Sequence, residues 1–339
     1  MKDLTIVGAG LAGLALANAL QSAGIQVALH EAHTLPRHRV CGEFICGQGA
    51  AALDKLGLSE CLEAAKSHRT IQWYNNNKCI LRSKLPTPAV GISRYSIDQS
   101  LADTFASAGG RLIQNSRFAH GAPKEAIVWC AGRRSEKSDW IGLKCHSTNL
   151  KLKADLELHL GEHAYIGLSA VEDGRVNICG LFKRRPQISA PKDQILFHYL
   201  KASKLGKLSE MIQASHLDSE SHVGVAGIIF AQDPSTMPGE LNLGDAYSVI
   251  PPFTGNGMSI ALESAAIAYP YLLDYSKNKQ SWEQAVSYIH KNLHTTFHRR
   301  IRIAQAIHPW LHHPNKTKIT TALARLRLIP FQTLYKLTH

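Results

Sequence analysis

Residues Leu4 to Glu31 read LTIVGAGLAGLALANALQSAGIQVALHE. Leu4 to Val7 is an apolar run too short for a helix, and it enters Gly8-Ala9-Gly10-Leu11-Ala12-Gly13 directly. From Leu11 to Leu20 the apolar residues recur at helical spacing, and Ile25 to Leu29 gives a second strand that Glu31 closes. A G-x-G-x-x-G turn set between a strand and a helix is a dinucleotide fingerprint. Gly8 permits the tight turn, Gly10 lets the backbone approach a pyrophosphate, and Gly13 lets helix and strand pack closely. The helix start turns free N–H groups and a positive dipole end toward the phosphates. Glu31 stands where a carboxylate accepts hydrogen bonds from a ribose. Gly8, Gly10, Ala12, Gly13 and Glu31 are therefore candidate nucleotide contacts.

The length of 339 residues suits two closely joined domains, and 45% hydrophobic with 19% charged residues is a globular balance. No apolar run is long enough to span a bilayer, and the chain starts in a strand without a signal peptide. The seven scattered cysteines contain no C-x-x-C. Together these features predict a cytoplasmic protein with free thiols. Net charge is +12, and no acidic residue follows Glu283. That basic end reads as a solvated helical face, as peripheral contact with the anionic inner membrane surface, or as contact with an acidic electron donor. No nucleic-acid motif accompanies the charge, so no nucleic-acid partner is expected.

Past Glu31 the segment Thr34 to Gly49 reads as a loop carrying Arg37, Arg39, Cys41-Gly42-Glu43 and Cys46. Ile71 to Leu81 predicts a hairpin turning at Asn75-Asn76-Asn77. Ser96 is the expected N-cap of a helix carrying Ile97, Leu101 and Phe105. Arg111 to Gln114 and Ala126 to Cys130 are short strands, the second leading into a turn over Ala131 to Ser135. Lys151 to Leu160 alternates strictly, which predicts a strand with Lys151, Lys153, Asp155, Glu157 and His159 on a solvated face of an antiparallel sheet. Ala164 to Val171 and Val176 to Phe182 form the next expected hairpin around Asp173-Gly174. Leu241 to Leu243 is a short strand ending in Gly244-Asp245-Ala246. Gly255, Asn256, Gly257 and Met258 then open a helix running to about Leu273. An acid at a strand end before such a helix start is a second nucleotide-contact device. From about Trp282 the chain reads as two or three helices with breaks at Pro309 and Pro330.

The motifs GAGLAG with Glu31, ISRYSID, and LGDAYSVIPPFTGNGMSIALESA resemble the flavoprotein superfamily of p-hydroxybenzoate hydroxylase and geranylgeranyl reductase, over nearly the whole chain. The resemblance implies FAD, with its pyrophosphate at Gly8, Gly10 and Gly13, its ribose on Glu31 and its ribitol on Asp245. It places Arg94 near the cofactor and Gly255 to Met258 at the flavin pyrimidine edge. It also implies NAD(P)H as a transient donor, since no second G-x-G-x-x-G is present. Cys41-Gly42-Glu43 resembles a flavin-side segment of geranylgeranyl reductases, which makes Cys41 and Gly42 cofactor neighbours and Cys41 the candidate catalytic residue. The reductases' aromatic Phe-Pro-Lys signature has as its counterpart Tyr165-Ile166-Gly167-Leu168-Ser169, which lacks both Trp and Phe-Pro. The halogenases' W-x-W-x-I-P motif is absent.

The expected fold is α/β, α+β overall. A Rossmann-type FAD-binding domain over 1–68, 91–135 and 226–275 carries an inserted antiparallel β-sheet substrate domain over 69–90 and 136–225. Basic helices fill 276–339. The expected activity is that of an FAD-dependent oxidoreductase: NAD(P)H-driven monooxygenation of a hydrophobic, aromatic or polyketide-like small molecule. The alternative is reduction of C=C bonds in a prenyl or polyene chain, and a third reading is flavin or lipid binding without turnover. Cys41 and Cys46 have the C-x-x-x-x-C spacing of redox dithiols, against which stands an inert buried thiol. Glu43 is read as a salt-bridge partner of Arg37 or Arg39, or as a general acid. Trp73 and Tyr74 are read as core, or as a pocket wall. None of the 18 histidines shows metal-ligand spacing such as H-E-x-x-H, and His312-His313 lies in the basic tail, so no metal is expected.

Overall fold

The computed structural model describes residues 1–119, 125–133, 137–230 and 239–339. The chain begins β1 (Leu4–Val7), α1 (Leu11–Ser22), β2 (Val27–His30), β3 (Phe44–Ile45) and α2 (Gly49–Lys55). Two long strands follow, β4 (Lys66–Asn75) and β5 (Lys78–Gly91), then α3 (Arg94–Ser107), β6 (Arg111–Ile113) and β7 (Ile127–Trp129). Next come β8 (Trp140–Thr148), β9 (Leu156–Gly161), β10 (Ala164–Ala170), β11 (Val176–Lys183), α4 (Ile195–Ala202), α5 (Gly206–Gln213) and β12 (His216–Ala226). The described chain closes with β13 (Leu241–Asn242), α6 (Gly257–Ser276), α7 (Trp282–His312), α8 (Pro314–Arg325) and α9 (Phe331–Thr338).

Five strands make a parallel sheet in the order β13-β7-β1-β2-β6. Its strands are short and apolar because helices cover them, and a strand without a wet face has no reason to alternate. Leu14, Leu16 and Leu20 of α1 share one core with Leu101 and Phe105 of α3, Leu262 and Leu272 of α6, and Ile289, Leu293 and Phe297 of α7. Burying each such side chain stabilises the fold by roughly 1.5–3 kcal/mol. Asn18 sits inside this core with its amide nitrogen donating to the carbonyls of Leu14 (2.9 Å) and Leu101 (2.8 Å), while its Oδ1 has no partner among the described residues.

Eight strands form the second sheet, in the order β12-β8-β11-β10-β9-β4-β5-β3. It is mixed rather than antiparallel, because β4 and β9 pair in parallel. One face is covered by α4 and α5 through Leu196, Leu200, Leu208 and Ile212. Another cluster joins Trp73, Leu158, Leu160, Tyr165 and Leu181 to Leu311 of α7 and Ala324 of α8.

Several local expectations change. The alternation over Lys151 to Leu160 yields a strand only from Leu156; Lys151 and Lys153 before it are exposed, but the strand's own polar residues are not. Glu157 and His159 are buried, paired at 2.9 Å, and the His159 ring stacks on Tyr74 at 4.5 Å. A strand with neighbours on both sides and cover on both faces hides its polar positions, and the pair satisfies them there. The cap of α3 is Ser93, whose hydroxyl accepts from the Ser96 N–H at 3.0 Å. Ser93 in turn gives its N–H and hydroxyl to buried Glu172, which fixes the helix start against the second sheet. Pro309 does not end α7, which runs on to His312; Pro314 then starts α8 and Pro330 precedes α9. Of the turn expected over Ala131 to Ser135, Arg134 and Ser135 lie outside the described residues.

Candidate cofactor and substrate site

The two sheets enclose a cleft of about 950 Å³. Its wall includes Gly8, Gly10, Ala12, Glu31, Cys41, Gly42, Arg94, Asp245, Gly255, Gly257 and Met258, brought together from four separate stretches. Gly13 and Asn256 lie behind that wall. Gly13 is there for packing: a Cβ would lie 2.0 Å from the Gly8 carbonyl oxygen. Gly8 has φ +104°, and its Cβ would meet the Cys130 carbonyl oxygen at 2.4 Å. Gly10 differs. The nearest atom to its Cβ position is an Arg94 nitrogen at 3.8 Å, so nothing in the protein requires glycine there. The space it leaves opens into the cleft at the start of α1, where a pyrophosphate would meet backbone N–H groups.

Glu31 is buried and braces the turn, accepting from the N–H of Ala9 (3.0 Å) and of His33 (3.1 Å). Asp98, fully buried, ties Arg94 (2.9 and 2.8 Å) to Arg39 (3.2 Å) along the same wall. Asp245 lines the cleft, keeps accessible surface and accepts no hydrogen bond from any described residue. Enclosure raises its carboxyl above the usual range, against the pull of Arg94, Arg133 and Arg39. Its carboxylate oxygens face the cleft with no protein donor on them, so a sugar or ribitol hydroxyl entering there could donate to them. The glycine cradle at Gly10, the bare carboxylate of Asp245 and the open start of α6 at Gly257 fit a flavin dinucleotide.

Glu43 does not pair with Arg37 or Arg39. It is fully buried at φ +52° and accepts from the Arg94 N–H (3.0 Å) and Lys144 Nζ (2.9 Å), with His146 Nε2 at 2.5 Å. Burial pushes its carboxyl up, but His146 and Lys144 outweigh that and hold it below the usual range. Cys41 and Cys46 do not form a dithiol at the cleft. Both are free, and only Cys41 lies on the wall. Burial raises the Cys41 thiol and takes Cys46 up to about 12, where the Cys46 sulfur faces the Gly255 carbonyl at 3.2 Å. Asn256 donates to the Thr338 carbonyl, which docks α9 onto the start of α6.

Beyond Gly255 the cleft becomes apolar, walled by Trp73, Leu158, Tyr165, Leu181, Phe253 and Phe331. Trp73 faces the chamber while Tyr74 lies against His159, as strand alternation requires. Tyr165 approaches the backbone of Phe253 without a hydrogen bond of normal geometry, and burial raises its phenol well above its usual range. The part played by α9 was hidden within the basic tail. Its signal was present in Phe331, Leu334, Tyr335 and Thr338, an i, i+3, i+4, i+7 face that lines the cleft.

Behind Tyr165, His308 stands among Phe230 (5.0 Å), Trp140 (5.2 Å), Tyr165 (5.7 Å) and His312 (4.6 Å). Burial takes His308 down to about 3 and, with neighbouring cations, His312 to about 4. The unfolded chain binds these protons near pH 6.5, so stability is full above that value and falls as pH descends toward the folded values. We expect about 2 kcal/mol to be lost between pH 6.5 and pH 5 through His308 alone. His308→Leu should flatten that part of the urea-midpoint profile; an unchanged slope would refute the assignment.

A model for an FAD binding domain matches residues 1–158, and a model for squalene epoxidase matches residues 131–307. Squalene epoxidase 2, mitochondrial, of Arabidopsis thaliana is 21% identical over 311 residues, covering 78% of this chain and 53% of that protein. Squalene epoxidase erg1 of Aspergillus fumigatus is 46% identical over 65 residues, covering 19% and 14%. The chain spans about half the length of the long-matching curated relatives, 53% to 59%. Among solved structures, Klebsiella pneumoniae HpxO complexed with FAD and uric acid gives a TM-score of 0.76 at 15% identity, covering 99% of this chain and 97% of that one. The p-nitrophenol 4-monooxygenase PnpA of Pseudomonas putida gives 0.77 at 13%, covering 100% and 96%.

Proposed function

The chain belongs to the squalene epoxidase family, and on that premise we propose that it is an FAD-dependent monooxygenase of an apolar, unsaturated small molecule, reduced by NAD(P)H. The observation that carries this reading is the apolar chamber of Trp73, Leu158, Leu181, Phe253 and Phe331 opening onto Asp245, Gly255 and the start of α6. Bound there, the flavin would supply oxygen activation. The chain's part is to hold and to exclude. The turn at Gly10 would hold the pyrophosphate, Glu31 the ribose, and Asp245 the ribitol. Arg94, fixed by Asp98, would keep positive charge beside the cofactor. The apolar wall would keep water from the reacting centre while the α9 face closes its side.

The test is turnover of the FAD-loaded protein with NADPH, squalene as the probe olefin and ¹⁸O-labelled oxygen. One labelled oxygen atom in the product supports the reading. A saturated product formed without oxygen would move it to the alternative, C=C reduction. Flavin retained with neither product would leave a binding protein.

Contact with a membrane surface is a further part of the proposal. No helix among the described residues is long and apolar enough to cross a bilayer. At the end of the chain, however, Leu326 (68% exposed), Leu328 (62%) and Ile319 (50%) stand among Lys316, Lys318, Arg325 and Arg327. Apolar side chains interleaved with cations suit the boundary of an anionic bilayer. Binding to phosphatidylserine vesicles should weaken with salt and drop several-fold in Leu326→Ser/Leu328→Ser. Equal binding to phosphatidylcholine vesicles, or no effect of the substitutions, would remove this element.

A further inference from the structure

Against Glu43, and outside the residues that line the cleft, three side chains converge from distant stretches. His38 comes from the loop after β2, His146 from β8, and Asp218 from β12. His146 and Asp218 are direct cross-strand partners, and the β12 register shifts immediately after Asp218. The backbone therefore fixes their spacing. One potential ligand atom from each of the three residues lies within 4.8 Å of the other two. We propose that His38, His146 and Asp218 form a binding site for a divalent transition-metal ion of the zinc and cobalt class.

His146 carries the argument. It is fully buried, and its two ring nitrogens have different surroundings. Nε2 faces Glu43 Oε2 at 2.5 Å, while Nδ1 is buried with no hydrogen-bond partner. A carboxylate accepting from one imidazole nitrogen leaves the lone pair on the other, which is how metal-ligating histidines are oriented and made more basic. The orphan Nδ1 thus has a physical use, and Glu43 takes the supporting carboxylate role. Asp218 engages Oδ1 with the Glu220 N–H at 3.1 Å, and its second oxygen has no partner among the described residues. The His38 ring stacks on Tyr95 at 4.9 Å and meets the His146 ring edge-on at 5.3 Å. Burial and the nearby Lys144 ammonium hold His38 down to about 4, so it is neutral and able to ligate near pH 7.

Two imidazoles and one carboxylate suit a borderline ion better than calcium or magnesium, and water would complete the coordination. The Lys144 ammonium, 3.4 Å from His38 Nδ1, opposes the ion and limits its affinity. Bound metal would tie the Cys41–Glu43 wall of the cleft to β8 and β12. It would act as a clamp on the loop, outside the cofactor's own contacts.

The test uses the flavin-loaded protein stripped with chelator, then dialysed against micromolar Zn²⁺ and analysed for bound metal, with Co²⁺ as a spectroscopic probe. The variants are His38→Ala and Asp218→Ala, both at partly exposed positions, and His294→Ala/His298→Ala. The last pair stacks at 4.5 Å on α7 and is the obvious competing surface site. We expect one ion per chain in the parent and in the α7 double variant, and at least about tenfold weaker binding in His38→Ala and in Asp218→Ala. Melting temperatures in chelator should be unchanged in these two variants, with the metal-induced rise lost. Unaltered binding in both, or loss confined to the α7 variant, would overturn the site. So would the parent's failure to retain zinc.

Discussion

Gly10→Val gives a folded protein that no longer retains FAD. The Cβ of residue 10 has no protein atom closer than 3.8 Å, so the apoprotein tolerates the side chain. The same side chain fills the space where a pyrophosphate would approach the backbone. Excluding it costs roughly 3 kcal/mol or more, about 100-fold in affinity. Gly13→Ala behaves oppositely, because its methyl would lie 2.0 Å from the Gly8 carbonyl oxygen and the strand–helix packing itself must give way. Asp245→Ala removes hydrogen-bond acceptors without adding a clash, so it weakens FAD by less, about tenfold. Flavin absorbance per chain and apoprotein melting temperature together separate the three. Yellow protein from Gly10→Val would overturn the placement of the pyrophosphate.

The second large effect concerns the buried charges of Glu43 and Lys144, both almost wholly shielded from water. Removing one partner strands the other. Glu43→Leu and Lys144→Met should each cost roughly 3–5 kcal/mol. Glu43→Leu combined with Lys144→Met removes both charges and replaces them with apolar volume, so the double variant should lose less than the sum of the two, the remainder reflecting the Arg94 N–H and His146 Nε2 that lose their acceptor. Urea midpoints at a constant slope measure the coupling. Strict additivity of the two changes would mean that the 2.9 Å pair contributes nothing as a pair.

These two sites also show what was legible in the sequence. Gly8, Gly10, Gly13 and Glu31 fall within 24 residues: Gly8 and Gly13 are tied to close backbone packing, Glu31 to the N–H groups of the turn, and Gly10 to the open space at the start of α1. The hairpin at Asn76 and Asn77 was readable for the same reason, since both residues adopt positive φ and asparagine tolerates it. Glu43 was misread because its nearest cations in sequence, Arg37 and Arg39, are not its nearest cations in space. Lys144 and His146 lie about a hundred residues away, and only the pairing of β8 within the second sheet brings them in. Glu157 and His159 were misread through a rule that holds only where one face of a strand is wet. Asp245 and Gly255 could be picked out, but the docking of α9 on Asn256 beside Gly255 depends on how that helix folds back.

The strand order of the parallel sheet has a consequence for how the protein is made. β1 and β2 leave the ribosome before the second sheet, yet β13, at one edge of the parallel sheet, and α6, which packs on α1, follow only after it. During synthesis α1 can meet α3, but the side of α1 that packs on α6 waits for a partner more than two hundred residues downstream. A nascent chain halted before Leu241 holds the glycine turn but neither Asp245 nor α6, which packs on α1. Such a fragment has exposed apolar surface and an incomplete flavin site, which makes it prey for chaperones and proteases rather than a working half.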